Sequence, residues 1–229
     1  MTIELRLALQ EERAADLSDR VRRLLGPFSG NEVALDAGCG TGSLSFALAP
    51  YVAEVVGIDV RDDYLEAGRR AAPANVTFAA GDVMELPFGY AEFDLACCHR
   101  VLHHVRRPEL AVSELARVTR SGGKVFIADH IGSIDPILSI EMDRFERLRD
   151  PTHQRLLPDA DIRGYLDAND LVLLSSEVTR EEIDLEQRLE LSGLSEEERV
   201  RIRGAAPAAR YEIEIEVGWY VSRKQGPRA

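Results

Sequence analysis

Val33-Ala34-Leu35-Asp36-Ala37-Gly38-Cys39-Gly40-Thr41-Gly42-Ser43 is an apolar run closed by one acid and then by glycines at every second position. The apolar part reads as a buried strand, and the glycines as a loop that hands the chain to a helix at Leu44-Ser45-Phe46-Ala47-Leu48. Glycine is needed where backbone takes positive φ or lies against a ligand with no Cβ between, so the loop is built to touch something. The dinucleotide fingerprint spaces its glycines as Gly-x-Gly-x-x-Gly, one residue wider than here, and a Walker loop would need a Gly-Lys-Ser/Thr ending. Asp36 repels a diphosphate and attracts an ammonium group. The ligand so described is a nucleoside with a cationic side chain; the spacing argues against a nicotinamide oxidoreductase.

Glu54-Val55-Val56-Gly57-Ile58-Asp59 reads as a second strand, ending in an acid about 20 residues beyond the loop, where a carboxylate takes both ribose hydroxyls of a nucleoside. A helix is expected from Asp62, which can cap it, to Ala72 before Pro73. A third strand, Val76 to Ala80, delivers Gly81-Asp82-Val83; a fourth runs from Phe93 to His99. The next helix starts near Pro108, is broken by Ser121-Gly122-Gly123, and leads to a fifth strand from Lys124 to Asp129. Strands alternating with helices predict right-handed crossovers and a doubly wound α/β sheet. Ligands of such sheets lie beyond the strands' carboxyl ends, where Asp36, Asp59, Asp82 and His99 all fall.

The string Leu35 to Gly42 resembles motif I of the class I S-adenosylmethionine-dependent methyltransferases. From Leu86 to Asp129 the resemblance narrows to the enzymes of ubiquinone and menaquinone biosynthesis and their relatives, on Leu86-Pro87-Phe88, Phe93-Asp94, His103-His104, and Glu114-Leu115-Ala116-Arg117-Val118 leading to Gly122-Gly123. The chain departs from the pattern at Ser121, a proline in the family, and at Arg61 and Tyr64, where the family carries Ser and Met after the second-strand acid. The resemblance implies a Rossmann-like seven-stranded sheet whose final strand is antiparallel between its two predecessors. It implies S-adenosylmethionine as cofactor, held by Asp36, Gly38, Gly40, Thr41, Gly42, Asp59, Val60, Asp82, Val83 and His99, with Asp82 accepting from the adenine amino group and the Val83 N–H donating to the ring.

The expected activity is direct in-line methyl transfer to a small-molecule acceptor, in which placement alone supplies about 7–11 kcal/mol of the barrier. The alternative is a protein that binds S-adenosylmethionine without transferring methyl, a sensor or a cofactor-retaining cyclase. A phenol or enol acceptor benefits from a base, and histidine is the usual one. His99 and His103 have a zinc-like spacing, but Arg100 stands where a metalloprotease carries Glu, so no metal is expected. On a helix His103 and His104 point apart; His104 is read either as catalytic or as a hydrogen-bonded structural residue. Residues 131–157 are expected to form a lid, since Ile131 to Arg155 is long for a connection and opens on the site. Asp150-Pro151-Thr152 turns between helices, projecting Arg149 as a substrate residue and His153 as a catalytic one; the alternative pairs Arg149 with Glu146 and makes His153 a helix cap.

The 229 residues carry a formal net charge of -12, which disfavours a nucleic-acid partner. With 45% hydrophobic residues the chain supports a single domain over 1–229. Cys39, Cys97 and Cys98 fit no disulfide or metal spacing, and no run approaches about 18 apolar residues, so a cytoplasmic monomer or homodimer without stable membrane insertion is expected. An N-terminal helix within residues 1–30 is read from the apolar spacing across Glu11 to Leu25, with Arg20, Arg22 and Arg23 on a solvated face. Later helices are expected at Ile137 to Arg149, Asp159 to Asn169 and Glu196 to Ala206, a strand from Leu171 to Leu174 with an extension to Leu185, and an exposed final strand from Glu212 to Val221.

Overall fold

Strands that are apolar on both faces need helices on both sides, and the alternation along this chain supplies them. The computed structural model describes residues 3–190, 194–205 and 212–226. Its elements are α1 (Ile3–Leu25), β1 (Val33–Ala37), α2 (Ser43–Leu48), β2 (Glu54–Asp59), α3 (Asp62–Ala71), β3 (Val76–Ala80), β4 (Phe93–His99), α4 (Pro108–Val118), β5 (Thr119–His130), α5 (Pro136–Arg149), α6 (Asp159–Asp167), β6 (Leu171–Asp184), α7 (Leu185–Glu190), α8 (Glu196–Ala205) and β7 (Glu212–Lys224). A 3-10 turn, Leu102–His104, follows β4.

The seven strands lie in the order β3-β2-β1-β4-β5-β7-β6. Neighbours from β3 to β5 are parallel, and β7 is antiparallel to both β5 and β6. The order reverses between β1 and β4, whose following connections leave to opposite sides and open a crevice at the carboxyl ends. Successive residues of β5 alternate between two cores. Val125 and Ile127 pack with Leu115 of α4 and Ile162 of α6, while Phe126 and Ala128 pack with Val21 of α1 and Leu48 of α2.

Several local expectations are corrected. The final strand is not exposed: inserted between β5 and β6, it buries Val217, Trp219, Tyr220 and Val221. The N-terminal helix starts well before Glu11, because the segment 3–10 packs over the glycine loop, where Gln10 accepts the Thr41 hydroxyl at 2.6 Å. Arg20 and Arg23 are not merely solvated; both bond the Glu177 carboxylate on β6, and Arg20 lies 4.9 Å over the Trp219 ring. Asp62 is the first residue of α3 rather than its cap, which falls at Arg61 without a side-chain bond. Ser121-Gly122-Gly123 does not separate α4 from β5. Thr119 already belongs to the strand, its hydroxyl closing the helix on the Leu115 carbonyl at 2.6 Å, and the glycines make an irregularity in the β4/β5 register. Part of the expected helix end at Ala206 and of the tail beyond Arg223 lies outside the described residues.

Candidate active site

The crevice is a cavity of about 1050 Å³, large for a small-molecule site. Its floor is the glycine loop. Gly38 has φ +79°, and its N–H and that of Cys39 both donate to the Ile58 carbonyl at 2.8 Å, tying the loop to β2. Asp59, at the end of β2, accepts from the Gly40 N–H at 2.8 Å through one oxygen and from the Arg61 N–H at 2.9 Å through the other. Each carboxylate oxygen retains a second lone pair for a ligand. The carboxylate therefore fixes the loop and faces the cavity. Asp82 is held by the Met84 N–H at 2.8 Å and lines the same cavity with Val83 and Val60.

Asp36 is buried beside them and accepts the Ser45 hydroxyl at 2.6 Å. Burial pushes its carboxyl up to about 7, the Ser45 bonds opposing and the Asp59 charge adding. A cation brought to Asp36 favours the ionised form, so binding a cationic ligand below about pH 7 expels a proton. The sign follows: ligand affinity rises with pH through about 7 and levels above it, while the ligand-free fold gains stability as pH falls from about 7 toward the ordinary 3.8. Calorimetry in buffers of different ionisation enthalpy should record this proton release for adenosylmethionine and its loss in Asp36→Asn; equal heats in all buffers would detach Asp36 from the cation.

Gly40, Thr41 and Gly42 do not line the cavity. Thr41 is turned to Gln10, and a Cβ on Gly40 would stand 2.6 Å from Arg6 Nη1. Their part is to shape the loop and seat α1, whose Arg6, Gln10 and Arg13 form the cavity's outer wall. Tyr64, at the departure from the family pattern, carries the Arg61 guanidinium 4.1 Å over its ring and that of Arg6 at 4.5 Å.

His99 ends β4 stacked 5.8 Å from Trp219. Burial, helped by Arg100, pushes it down to about 3, so it is neutral, and its buried Nε2 has no hydrogen-bond partner among the described residues. Together these groups fit S-adenosylmethionine: two carboxylates for ribose and ammonium, glycine backbone for close approach, and a buried neutral nitrogen that lacks a ligand.

Beside the carboxyl ends of β4 and β5 four histidine rings gather. His103 lies 4.1 Å from His104, 5.0 Å from His130 and 5.8 Å from His153. The 3-10 turn, rather than the expected α-helix, holds His103 and His104 side by side, and both line the cavity. His104 Nδ1 meets the Thr152 hydroxyl at 3.0 Å, and burial followed by the His103 charge pushes it down to about 4, far from a base poised near neutrality. The expectation that His153 faces the acceptor is corrected. The ring is 3% exposed, is not on the cavity wall, and its Nε2 bonds Asp143 of α5 at 2.8 Å, because the turn after α5 folds the side chain back under its own helix. Arg149 does line the cavity while pairing with Glu146, as the alternative reading had it. Asp150, Thr152 and Gln154 line it too, so part of residues 131–157 contributes to the cavity wall.

Sequence reasoning missed His103 with Asp129. Asp129, at the end of β5, takes the His103 ring nitrogen Nδ1 on one oxygen and the His103 N–H on the other, and the His130 N–H adds a third bond at 2.7 Å. Burial alone would raise the Asp129 carboxyl; the His103 charge and bond and the His130 N–H bring it below the usual range. His103, Asp129 and His130 also stand close enough to be a metal-ligand set, but the direct bond between His103 and Asp129 fills the space a metal ion would occupy.

The methyltransferase-domain family matches residues 35–127. The uncharacterized methyltransferase YcgJ of Bacillus subtilis is 34% identical over 141 residues, 60% of this chain and 56% of that protein. An O-methyltransferase of Pyrenophora dematioidea is 30% identical over 186 residues, 72% of this chain and 67% of its own. A demethylmenaquinone methyltransferase of Renibacterium salmoninarum is 37% identical over 114 residues, 48% and 47% of the two chains. The solved structure of YcgJ superposes with a TM-score of 0.81 at 23% identity, covering 91% of this chain and 98% of that one, which establishes the shared fold. The chain belongs to the class I S-adenosylmethionine-dependent methyltransferases. S-adenosylmethionine is the cofactor of that family. The chain spans little more than half the length of the first of these relatives. Among the described residues no helix is long and apolar enough to cross a membrane.

Proposed function

We propose that this chain transfers the methyl group of S-adenosylmethionine to a small-molecule acceptor. The observation that carries the proposal is the convergence of Asp36, Asp59, Asp82 and His99, from the ends of four strands, on one cavity that His103, His104 and Arg149 also line. S-adenosylmethionine, when bound, supplies an electrophilic methyl on a sulfonium. The chain's own work is placement. Asp59 and Asp82 fix the nucleoside, Asp36 sits within reach of the ammonium group, and the walls formed by α1 and by the segment 131–157 keep water from the acceptor. In-line approach follows if the acceptor lies beside the histidines that line the cavity. The further reading is of one domain acting in the cytoplasm as a monomer or homodimer.

The test is incubation with methyl-labelled S-adenosylmethionine and a panel of quinol precursors, phenols, amines and thiols, with S-adenosylhomocysteine as the readout. Label in an acceptor with stoichiometric S-adenosylhomocysteine is the expected result. Tight cofactor binding with no S-adenosylhomocysteine across the panel would favour a protein that retains its cofactor without transferring methyl.

A further inference from the structure

We infer that Arg6 of α1 and His99 of β4 together take the carboxylate on the methionine part of S-adenosylmethionine, and that this contact fastens the first turns of α1 over the glycine loop. The inference rests on the reading of the chain as a methyltransferase and concerns a group of the cofactor that the acids of the site cannot hold.

Two buried donors lack partners. Among the described residues, His99 Nε2 and Arg6 Nε are buried with no hydrogen-bond partner, and both residues line the same cavity. A buried donor left unpaired is costly, so a ligand that meets both is favoured. His99 stands on the strand beside β1 and on the same face of the sheet as Asp36. Asp36 pairs in register with Cys97, which places His99 one two-residue step, about 6.6 Å, further toward the carboxyl ends. Burial, and after it the charges of Arg100, Arg13 and Arg6 against that of Asp129, keep the ring neutral. With its proton on Nε2, a neutral imidazole donates one hydrogen bond into the cavity.

Arg6 arrives from the other side. Its Nη1 lies 2.6 Å from the place a Cβ on Gly40 would take, and its guanidinium is 4.5 Å from the centre of the Tyr64 ring. Arg6, Gln10 and Arg13 follow one another at helical spacing along the cavity wall. They are not equivalent. Gln10 is taken up by Thr41, and Glu181 takes up Arg13 together with Arg100. Arg6 forms no ion pair among the described residues, and it is near enough to act on both Cys39 of the glycine loop and His99.

The ligand class follows from Asp36. The cofactor's carboxylate and ammonium group share one carbon, so an ammonium group at Asp36 brings the carboxylate to the face of the sheet where these two donors wait. A guanidinium takes a carboxylate through charge-assisted bonds. Because Arg6 belongs to the helix and His99 to the sheet, one carboxylate between them ties α1 down. A decarboxylated cofactor keeps nucleoside, sulfur and ammonium but lacks the tie.

The test compares three ligands on the full chain by calorimetry: S-adenosylhomocysteine, its decarboxylated form 5′-deoxy-5′-(3-aminopropylthio)adenosine, and methylthioadenosine, which carries neither charge. The wild type is expected to bind S-adenosylhomocysteine about thirtyfold more tightly than the decarboxylated form. Arg6→Met combined with His99→Leu should bring that ratio to about threefold or less, whereas Arg6→Lys and His99→Gln, which each keep a donor, should retain most of it. Methylthioadenosine affinity should stay within about threefold throughout, showing that the fold and the nucleoside end are intact. Hydrogen exchange reads the fastening: with each ligand at saturation, the amides of residues 7–16 should exchange about tenfold more slowly under S-adenosylhomocysteine than under the decarboxylated form. Equal affinities of these two for the wild type, or a ratio that survives the double variant, overturn the carboxylate site, and equal exchange overturns the fastening. Should the double variant fail to bind methylthioadenosine, Arg6→Met and His99→Leu are measured singly, and an unchanged ratio in both overturns the assignment. A wild type that binds none of the three would instead overturn the cofactor reading beneath it.

Discussion

Replacing Asp59 with alanine is expected to weaken S-adenosylmethionine binding on the order of a hundredfold. Two charge-assisted hydrogen bonds to ribose hydroxyls contribute about 1.5–3 kcal/mol each before water replaces them, and about 3 kcal/mol net corresponds to that factor. The same carboxylate holds the Gly40 and Arg61 N–H groups, so the variant also loosens the glycine loop. A ligand lacking the hydroxyls separates the two effects. In the wild type, 2′,3′-dideoxy-S-adenosylhomocysteine should bind far more weakly than S-adenosylhomocysteine; in Asp59→Ala the two should bind alike. If the hydroxyls matter equally in both proteins, Asp59 acts only on the loop.

The second large effect is on stability. Gly38→Ala should destabilise the fold by about 2–5 kcal/mol, of which about 1–2 kcal/mol is the strain of a side chain at φ +79° and about 1–3 kcal/mol is overpacking, since the new Cβ would overlap the Val101 side chain. Urea denaturation measures it. Adding Val101→Ala should relieve the overpacking and leave the backbone strain, so that the double variant falls between the wild type and Gly38→Ala after correction for Val101→Ala alone. A Gly38→Ala protein as stable as the wild type would mean that the loop does not hold this conformation in solution.

What could be read from the residues follows the range of the forces that place them. The glycine loop, the strand-end acids and the doubly wound sheet were legible because each is encoded within one βα unit, by glycine spacing or by an acid closing an apolar run. The histidine cluster was not. His103 and Asp129 lie 26 residues apart, on a turn and on a strand brought together only by the β4/β5 pairing. Adjacent histidines read on an α-helix point apart, whereas the three-residue 3-10 turn lines the cavity with both. Asp129 beside His130 at a strand's carboxyl end was the available signal. His153 misled for the opposite reason, because its place beside Asp150-Pro151 in the chain says nothing of Asp143, one helix earlier, which turns the ring inward. The first turns of α1 carry Ile3, Leu5, Leu7 and Leu9 at a spacing of two, which is not the helical period, and Gln10 ties the segment to the glycine loop by a polar contact with Thr41.

The place of β7 bears on how the molecule is made. It is the last strand in the sequence yet sits between β5 and β6, both synthesised before it. Until residues 212–224 have left the ribosome, β5 and β6 each present an unsatisfied edge, and Phe126 lacks the Trp219 ring that packs 6.1 Å from it. The parallel strands β1 to β4 can pair as they emerge, but the sheet closes only by inserting a strand into a gap held open for it. Such late, long-range pairing is slow and leaves nascent chains prone to association; yield in cells should therefore respond more to chaperone supply and translation speed than the stability of the finished fold would indicate.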